Sequence, residues 1–162
     1  MSLISVIMPV FNGEEYIKES IESVLSQRNV DLELIIVNDG STDNTEKIIK
    51  KYGSKIKYFY QDKSNQAMAM NKAIENAKGK YVAYLDSDDI CLNNRLKKQH
   101  DFLEKNISIG LVYSAYQNIN QYGKNLEIKY PIKPDRLTLL YENYIPHSTV
   151  MHRKEIFSKP TT

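Results

Sequence analysis

The sequence predicts an α/β domain whose mostly parallel sheet carries helices on both faces. Three observations lead there. Short β-branched runs alternate with stretches of helical periodicity, the pattern of βαβ units. Those runs are apolar almost without a break, as strands buried on both faces must be. Three of them end in polar clusters: Phe11-Asn12-Gly13-Glu14, Asn38-Asp39-Gly40-Ser41 and Asp86-Ser87-Asp88-Asp89. Ligands bind at the carboxyl ends of parallel strands, so these clusters are expected to meet at one sheet edge.

Leu3 to Val10 reads as the first buried strand. Asn12 with Glu15 carries a helix-start signal, Asn12 as cap and Glu15 reaching back. Ile17, Ile21, Val24 and Leu25 then place one apolar stripe on a helix. Leu32 to Val37 is the second strand and Asn38 to Ser41 a turn. Asp43 with Glu46 opens a second helix through Ile48, Ile49 and Tyr52. Ile56 to Tyr60 is a shorter, less apolar strand, expected near a sheet edge. Ala67, Met70, Ile74 and Ala77 share one face of a third helix, which Gly79 closes. Tyr81 to Leu85 is the fourth strand, followed by the acidic cluster. Leu92, Leu96 and Leu103 mark the next helix, capped by Asp89 or Asn93. Ile109 to Tyr116 and Ser148 to His152 read as two more strands. An irregular excursion with Pro131, Pro134 and Pro146 separates them.

At 162 residues the chain is expected to form one domain. Its 22 basic and 20 acidic residues leave a net charge of +2 and no dominant patch. Lys47, Lys50, Lys51, Lys55 and Lys57 cluster, but as a solvated helix face rather than a nucleic-acid surface. The single cysteine, Cys91, excludes an internal disulfide and fits a reducing compartment. With three histidines it makes a zinc centre unexpected. No apolar run is long enough to cross a bilayer. Ser5 to Met8 runs into Pro9 and then acidic residues, so no secretory leader is expected.

Three carboxylates within four residues, at the end of a buried strand, repel one another, and a bound cation would relieve them. Carboxylate oxygens suit Mg²⁺ or Mn²⁺, and one or two of them plus substrate phosphates make a common site. The competing reading is a solvated acidic turn that caps the next helix. Neither G-x-G-x-x-G after the first strand nor G-x-x-x-x-G-K-[ST] is present, so neither motif cradles a phosphate here. Asp39 is suited to accept an N–H from a base or sugar, or to close an Asx-turn on Ser41. Phe11 is suited to face a planar ring, or to pack under the first helix.

Three segments taken together resemble the family 2 glycosyltransferases, nucleotide-diphospho-sugar enzymes of the GT-A fold with its Rossmann-like sheet. They are Val6 to Glu14, Ile35 to Asp43, and Lys78 to Asp89, and their order and spacing agree from about Ser2 to Phe157. The resemblance implies an inverting glycosyltransferase. It would move a sugar from a nucleoside diphosphate, usually UDP, to an acceptor hydroxyl with the help of Mg²⁺ or Mn²⁺. Pro9, Val10 and Phe11 would line the base pocket, with Glu14 beside them. Asp39 would hydrogen-bond the base, and Asp86 would face the ribose or assist the metal. Asp88, the second aspartate of the D-x-D element, would hold the ion that bridges the diphosphate. That role agrees with the need to neutralise the leaving group. Asp89 would cap the next helix, with Arg95 in its first turn. The partners implied are a nucleotide-sugar donor and a saccharide or lipid-linked acceptor, without nucleic acid. The setting implied is polysaccharide biosynthesis in the cytoplasm or peripherally at the inner face of the membrane.

Two departures from the family pattern stand out. The motif N-x-G-x-x-x-A-R-N reads here from Asn65 to Asn71 with Ala67 for glycine and Met70 for arginine. Lys63 and Lys72 are the candidates to replace that cation. The family's base, a carboxylate in a late acidic motif, takes the proton of the acceptor hydroxyl. Neither Glu142 nor Glu155 has that context, and the sequence stops at Thr162. The expectation is therefore a single nucleotide-sugar-binding domain over 1–162, with the acceptor and base portion beyond Thr162. The alternative is a non-catalytic nucleotide-sugar-binding or interaction module.

Overall fold

The computed structural model describes residues 2–120, 123–130 and 145–157. Its spine is β1 (Ile4–Val10), buried along its whole length. β1 pairs in parallel with β2 (Leu32–Asp39) on one side and with β4 (Tyr81–Tyr84) on the other. β3 (Lys57–Gln61) adds in parallel to β2 and forms one edge, as its weaker apolar pattern predicts. Beyond β4 the sheet turns antiparallel: β8 (Val150–Arg153) lies between β4 and β5 (Leu111–Tyr113). The order is β3-β2-β1-β4-β8-β5. Strands β6 (Tyr116–Ile119) and β7 (Asn125–Lys129) make a separate two-stranded ribbon.

Helices cover both faces. Ile4, Val6, Met8 and Val10 of β1 pack with Ile17, Ile21 and Val24 of α1 (Ile17–Leu25). Ile49 of α2 (Thr45–Lys50) and Leu96 and Leu103 of α4 (Arg95–Lys105) complete this layer. On the opposite face Ile7, Ile35, Val37 and Val82 meet Ala69 and Ala73 of α3 (Gln66–Asn76). Each fully buried aliphatic side chain contributes about 1.5–3 kcal/mol, so both layers are needed.

Several local expectations are corrected. Asn12 does not cap α1: Tyr16 holds the cap position, and no side chain bonds there. Asn12 instead has φ +50° and accepts a hydrogen bond from Thr42 N at 2.8 Å. The buried face of α3 is Ala69 and Ala73, while Ala67 is exposed and Met70 and Ile74 only partly covered. Gly79 does not end α3, whose last residues are Asn76 and the cap Ala77. A Cβ on Gly79 would lie 2.6 Å from Ser5 N and 2.8 Å from Leu3 O, so the glycine lets the chain enter β4 tightly against β1. Neither Asp89 nor Asn93 caps α4; Asn94, in the left-handed region at φ +64°, precedes it. The strand expected over Ile109 to Tyr116 is broken between β5 and β6, and a 3₁₀ turn (His147–Thr149) stands where Ser148 was expected to open a strand. Pro131, Pro134 and Glu142 lie outside the described residues.

Glu104 sits at the start of β4, accepting hydrogen bonds from Lys80 Nζ at 2.8 Å, Ser2 Oγ at 2.8 Å and Tyr81 OH at 2.9 Å. These bonds, Lys80's first, hold its carboxyl down at about 2. A carboxyl depressed in the folded state adds stability above its unfolded value near 4.5, and that stability is lost as pH falls toward 2. Glu104→Gln should therefore flatten the loss of Tm between pH 4.5 and 2, and should lower stability above pH 4.5 by that same amount, which solvent screening keeps below about 1 kcal/mol. A Tm-against-pH series parallel to that of the parent protein would refute this.

Candidate functional site: a cleft at the carboxyl edge of the sheet

The three polar clusters meet where predicted. A cleft of about 530 Å³ opens at the carboxyl ends of β1, β2 and β4, lined by Pro9, Val10, Phe11, Asp39, Lys63, Gln66, Asp86 and Asp88, among others. β1 lies between β2 and β4, so successive connections leave to opposite sides and a crevice forms between them.

Backbone chemistry positions each wall. The turn after β1 is laced to the turn after β2. Asn12 N donates to Ser41 Oγ at 3.0 Å, Gly13 N to Thr45 Oγ1 at 2.8 Å, and Glu14 N to Asp43 Oδ2 at 3.1 Å. This lacing leaves the Phe11 ring 44% exposed at the cleft rather than packed under α1. Gly13 also touches the third wall, since a Cβ there would come within 2.8 Å of Val10 and 3.4 Å of Ser87 Oγ. The acidic turn is fixed by Ser20 Oγ, which donates to Ser87 O at 2.8 Å, and by Asp86 N, which donates to Ser148 Oγ at 2.9 Å.

Asp39 is buried, with only 3% of its surface exposed. The Asx-turn belongs to its neighbour: Ser41 N donates to Asn38 Oδ1 at 2.9 Å, which leaves Asp39 to the cleft. Gln61 Nε2 at 2.7 Å, Ser64 N at 3.0 Å and Ser64 Oγ at 2.9 Å all donate to Asp39 Oδ1. Lys63 Nζ stands 4.0 Å from Asp39 Oδ2 and 2.8 Å above the Phe11 ring. Burial alone would raise this carboxyl, but the Gln61 and Ser64 hydrogen bonds outweigh it and hold Asp39 below its usual value. It is an ionised acceptor with one oxygen fully occupied.

Asp86 behaves oppositely. Burial, and then the negative charges of Asp89 and Asp88, raise its carboxyl above the ordinary value, with His147 opposing. Gln66 Nε2 donates to its Oδ1 at 3.1 Å. Crowded carboxylates of this kind gain from a cation. Among the described residues no cluster of three or more His, Cys, Asp or Glu could hold a metal by itself. The donor set is thus one or two carboxylates beside an open cleft, which fits Mg²⁺ or Mn²⁺ completed by phosphate oxygens and water.

The structure brings Pro9, Val10, Phe11, Asp39, Asp86 and Asp88 together, but not Glu14. Glu14 is turned outward, its Oε2 accepting from Asn44 N at 2.9 Å and Asn44 Nδ2 at 2.8 Å. Of the two candidate lysines, Lys63 lines the cleft, whereas Lys72 Nζ donates to Tyr60 O at 2.6 Å. Gln66 and Tyr16 also line it, and neither is a candidate site residue on sequence grounds. Gln66 was legible in principle, since it follows the cap residue Asn65 at the first turn of a helix leading into the site. Arg95 does begin α4, but its Nη2 donates to Tyr84 O at 3.0 Å and Val150 O at 3.2 Å, a structural role.

Residues 5–159 match the sequence profile of Glycosyl transferase family 2. An uncharacterised glycosyltransferase of Rickettsia typhi is 41% identical over 136 residues, covering 83% of this chain and 42% of that protein. Staphylococcus aureus TarS (residues 1–349) in complex with UDP-GlcNAc superposes with a TM-score of 0.74 at 26% identity, over 98% of this chain and 47% of that one. Glucosyl-3-phosphoglycerate synthase from Mycobacterium tuberculosis, bound to Mn²⁺, UDP and glucosyl-3-phosphoglycerate, gives 0.58 at 27% identity, over 70% and 43%. The chain spans between 19% and 64% of the length of such curated relatives. The sheet order, the cleft at its carboxyl edge and the match over nearly every residue agree: the chain belongs to glycosyl transferase family 2.

Proposed function

We propose that the cleft binds a UDP-sugar with a divalent cation, in an inverting glycosyltransferase that delivers the sugar to an acceptor hydroxyl. The observation that carries this reading is the single cleft joining Phe11, Asp39, Asp86 and Asp88. Phe11 offers a ring face for the base, and Asp39, held ionised, accepts a base N–H. Asp88, exposed beside half-buried Asp86, would hold the cation, which supplies positive charge to the diphosphate. The diphosphate leaves as the acceptor oxygen attacks the anomeric carbon from the opposite side, which inverts the configuration. No cleft residue is assigned as the base that takes the acceptor proton. The UDP and UDP-GlcNAc complexes of TarS and the Mn²⁺ complex of the mycobacterial synthase support this choice of donor and cation.

UDP with Mn²⁺ is expected to raise Tm. At a ligand concentration 100-fold above Kd the gain is about 2.7 kcal/mol, or about 5–11 °C for a domain of this size. With EDTA in place of Mn²⁺ the shift should be much smaller. Equal shifts under both conditions would sink the metal-held diphosphate, and no shift under either would sink the nucleotide site.

A further inference from the structure

Lys63, a sequence candidate for the missing motif cation, has a position that points to a different partner. Its ammonium lies 2.8 Å above the centre of the Phe11 ring, where a stacked base would have to sit. It also stands 4.0 Å from Asp39 Oδ2, the carboxylate oxygen that the three fixed donors leave free. The root of this lysine is held tightly. A Cβ on Gly40 would fall 2.7 Å from Lys63 N, and the next residue, Ser64, donates to Asp39 through both its backbone and its hydroxyl. The side chain itself is 52% exposed and has four rotatable bonds beyond that fixed root. A rigid root with a mobile charged tip suits a group that changes partners when a ligand enters.

Resting on the nucleotide reading of this cleft, we infer that Lys63 is the movable half of a base-reading pair with Asp39. Its tip, poised over the Phe11 ring, turns to a base carbonyl when the base stacks. The chemistry selects a base edge that presents a ring N–H beside a C=O. Asp39 Oδ2 can only accept and Lys63 Nζ can only donate. Uracil meets both demands, because its N3–H is flanked by a carbonyl on each side. Cytosine and adenine carry a lone pair on the corresponding ring nitrogen, which would face the carboxylate. Both neighbours of the ammonium, Phe11 and Asp39, define the base end of the cleft, whereas Asp86 is engaged by Gln66.

The test compares UDP with uridine, which has no phosphate, by titrating each into the parent protein, Lys63→Met and Lys63→Arg. Base reading predicts that Lys63→Met weakens both ligands by a similar factor of about ten, the worth of one charge-assisted hydrogen bond. Lys63→Arg, which keeps a cationic donor, should recover most of that loss. The Tm of Lys63→Met without ligand should match the parent, since the side chain is half in solvent. Unchanged or tighter binding of both ligands would overturn the inference, leaving the ammonium as a mere occupant of the slot. Loss confined to UDP would overturn it in favour of a diphosphate contact. Failure of the parent protein to bind either ligand would instead reject the nucleotide site, a result distinct from both.

Discussion

Asp88→Ala is expected to abolish the Mn²⁺-dependent part of UDP binding and to leave the ligand-free Tm unchanged. Asp88 is exposed on the cleft rim, so its removal strands no buried donor. The loss should be large because the ion would have few protein ligands: among the described residues no three metal-binding side chains cluster, so one carboxylate is a large share of the site. Changes in a metal's outer shell already cost 10–100-fold in affinity, and loss of a direct ligand should reach at least about 100-fold, or about 2.7 kcal/mol. Asp89→Ala is the control. Asp89 does not line the nucleotide cleft, so it should keep the metal-dependent shift. Asp86→Ala is a less clean probe, since it also frees Gln66 and empties a half-buried position. If Asp88→Ala retained the full Mn²⁺ effect while Asp89→Ala lost it, the D-x-D assignment would be wrong by one residue. If Asp88→Ala unfolded, the acidic turn would have to be read as structural.

What the sequence made legible, and what it hid, follows from how local each feature is. β1, β2 and β4 are buried on both faces over most of their length, so their residues are apolar with few interruptions and the runs stand out. The convergence of Phe11, Asp39 and Asp88 was legible because strand alternation with helices forces a shared carboxyl edge. The face of α3 was not. In Gln66-Ala67-Met68-Ala69-Met70 small and large apolar residues occupy every side of the helix, so periodicity cannot choose among them. The helix lies on β1 and β2 at alanines, where close approach rather than hydrophobicity decides the matter.

One-residue distinctions were hidden for a related reason. Asn38 and Asp39 are both polar and both end a strand, yet Asn38 makes the turn and Asp39 reaches the cleft. Successive strand residues point to opposite faces, so the choice depends on register with β1 and β3, which pairing across the sheet sets. The outward turn of Glu14 comes from Asn44, 30 residues away, and Lys63 finds Asp39 only through β2–β3 pairing. Such contacts leave no local trace. Arg153 is the extreme case, a cation in an unremarkable stretch that proves to be buried.

Arg153→Met should lower stability by about 3–5 kcal/mol. Arg153 ends β8 and is 6% exposed. Its Nε donates to Ile109 O at 3.0 Å and its Nη2 to Leu103 O at 2.6 Å, while Nη1 donates to Tyr81 OH at 3.0 Å. The Tyr81 hydroxyl in turn donates a hydrogen bond to Glu104 Oε1 at 2.9 Å, so a carboxylate faces the buried charge through the phenol. One guanidinium thus ties the end of α4, the approach to β5 and the start of β4 to an antiparallel strand that arrives late in the chain. Methionine matches much of the length but none of the donors, and several carbonyls and a phenol would be left dry. At about 2–4 °C per kcal/mol the Tm should fall by about 6–20 °C. Arg153→Lys should recover only part of this, because one ammonium cannot reach acceptors spread around a planar fork. Below its lowered Tm, Arg153→Met should still show the Mn²⁺-dependent UDP shift, since no cleft-lining residue touches the guanidinium. A drop of less than about 1 kcal/mol would mean that solvent reaches these acceptors, and that β8 is held chiefly by its pairing with β4 and β5.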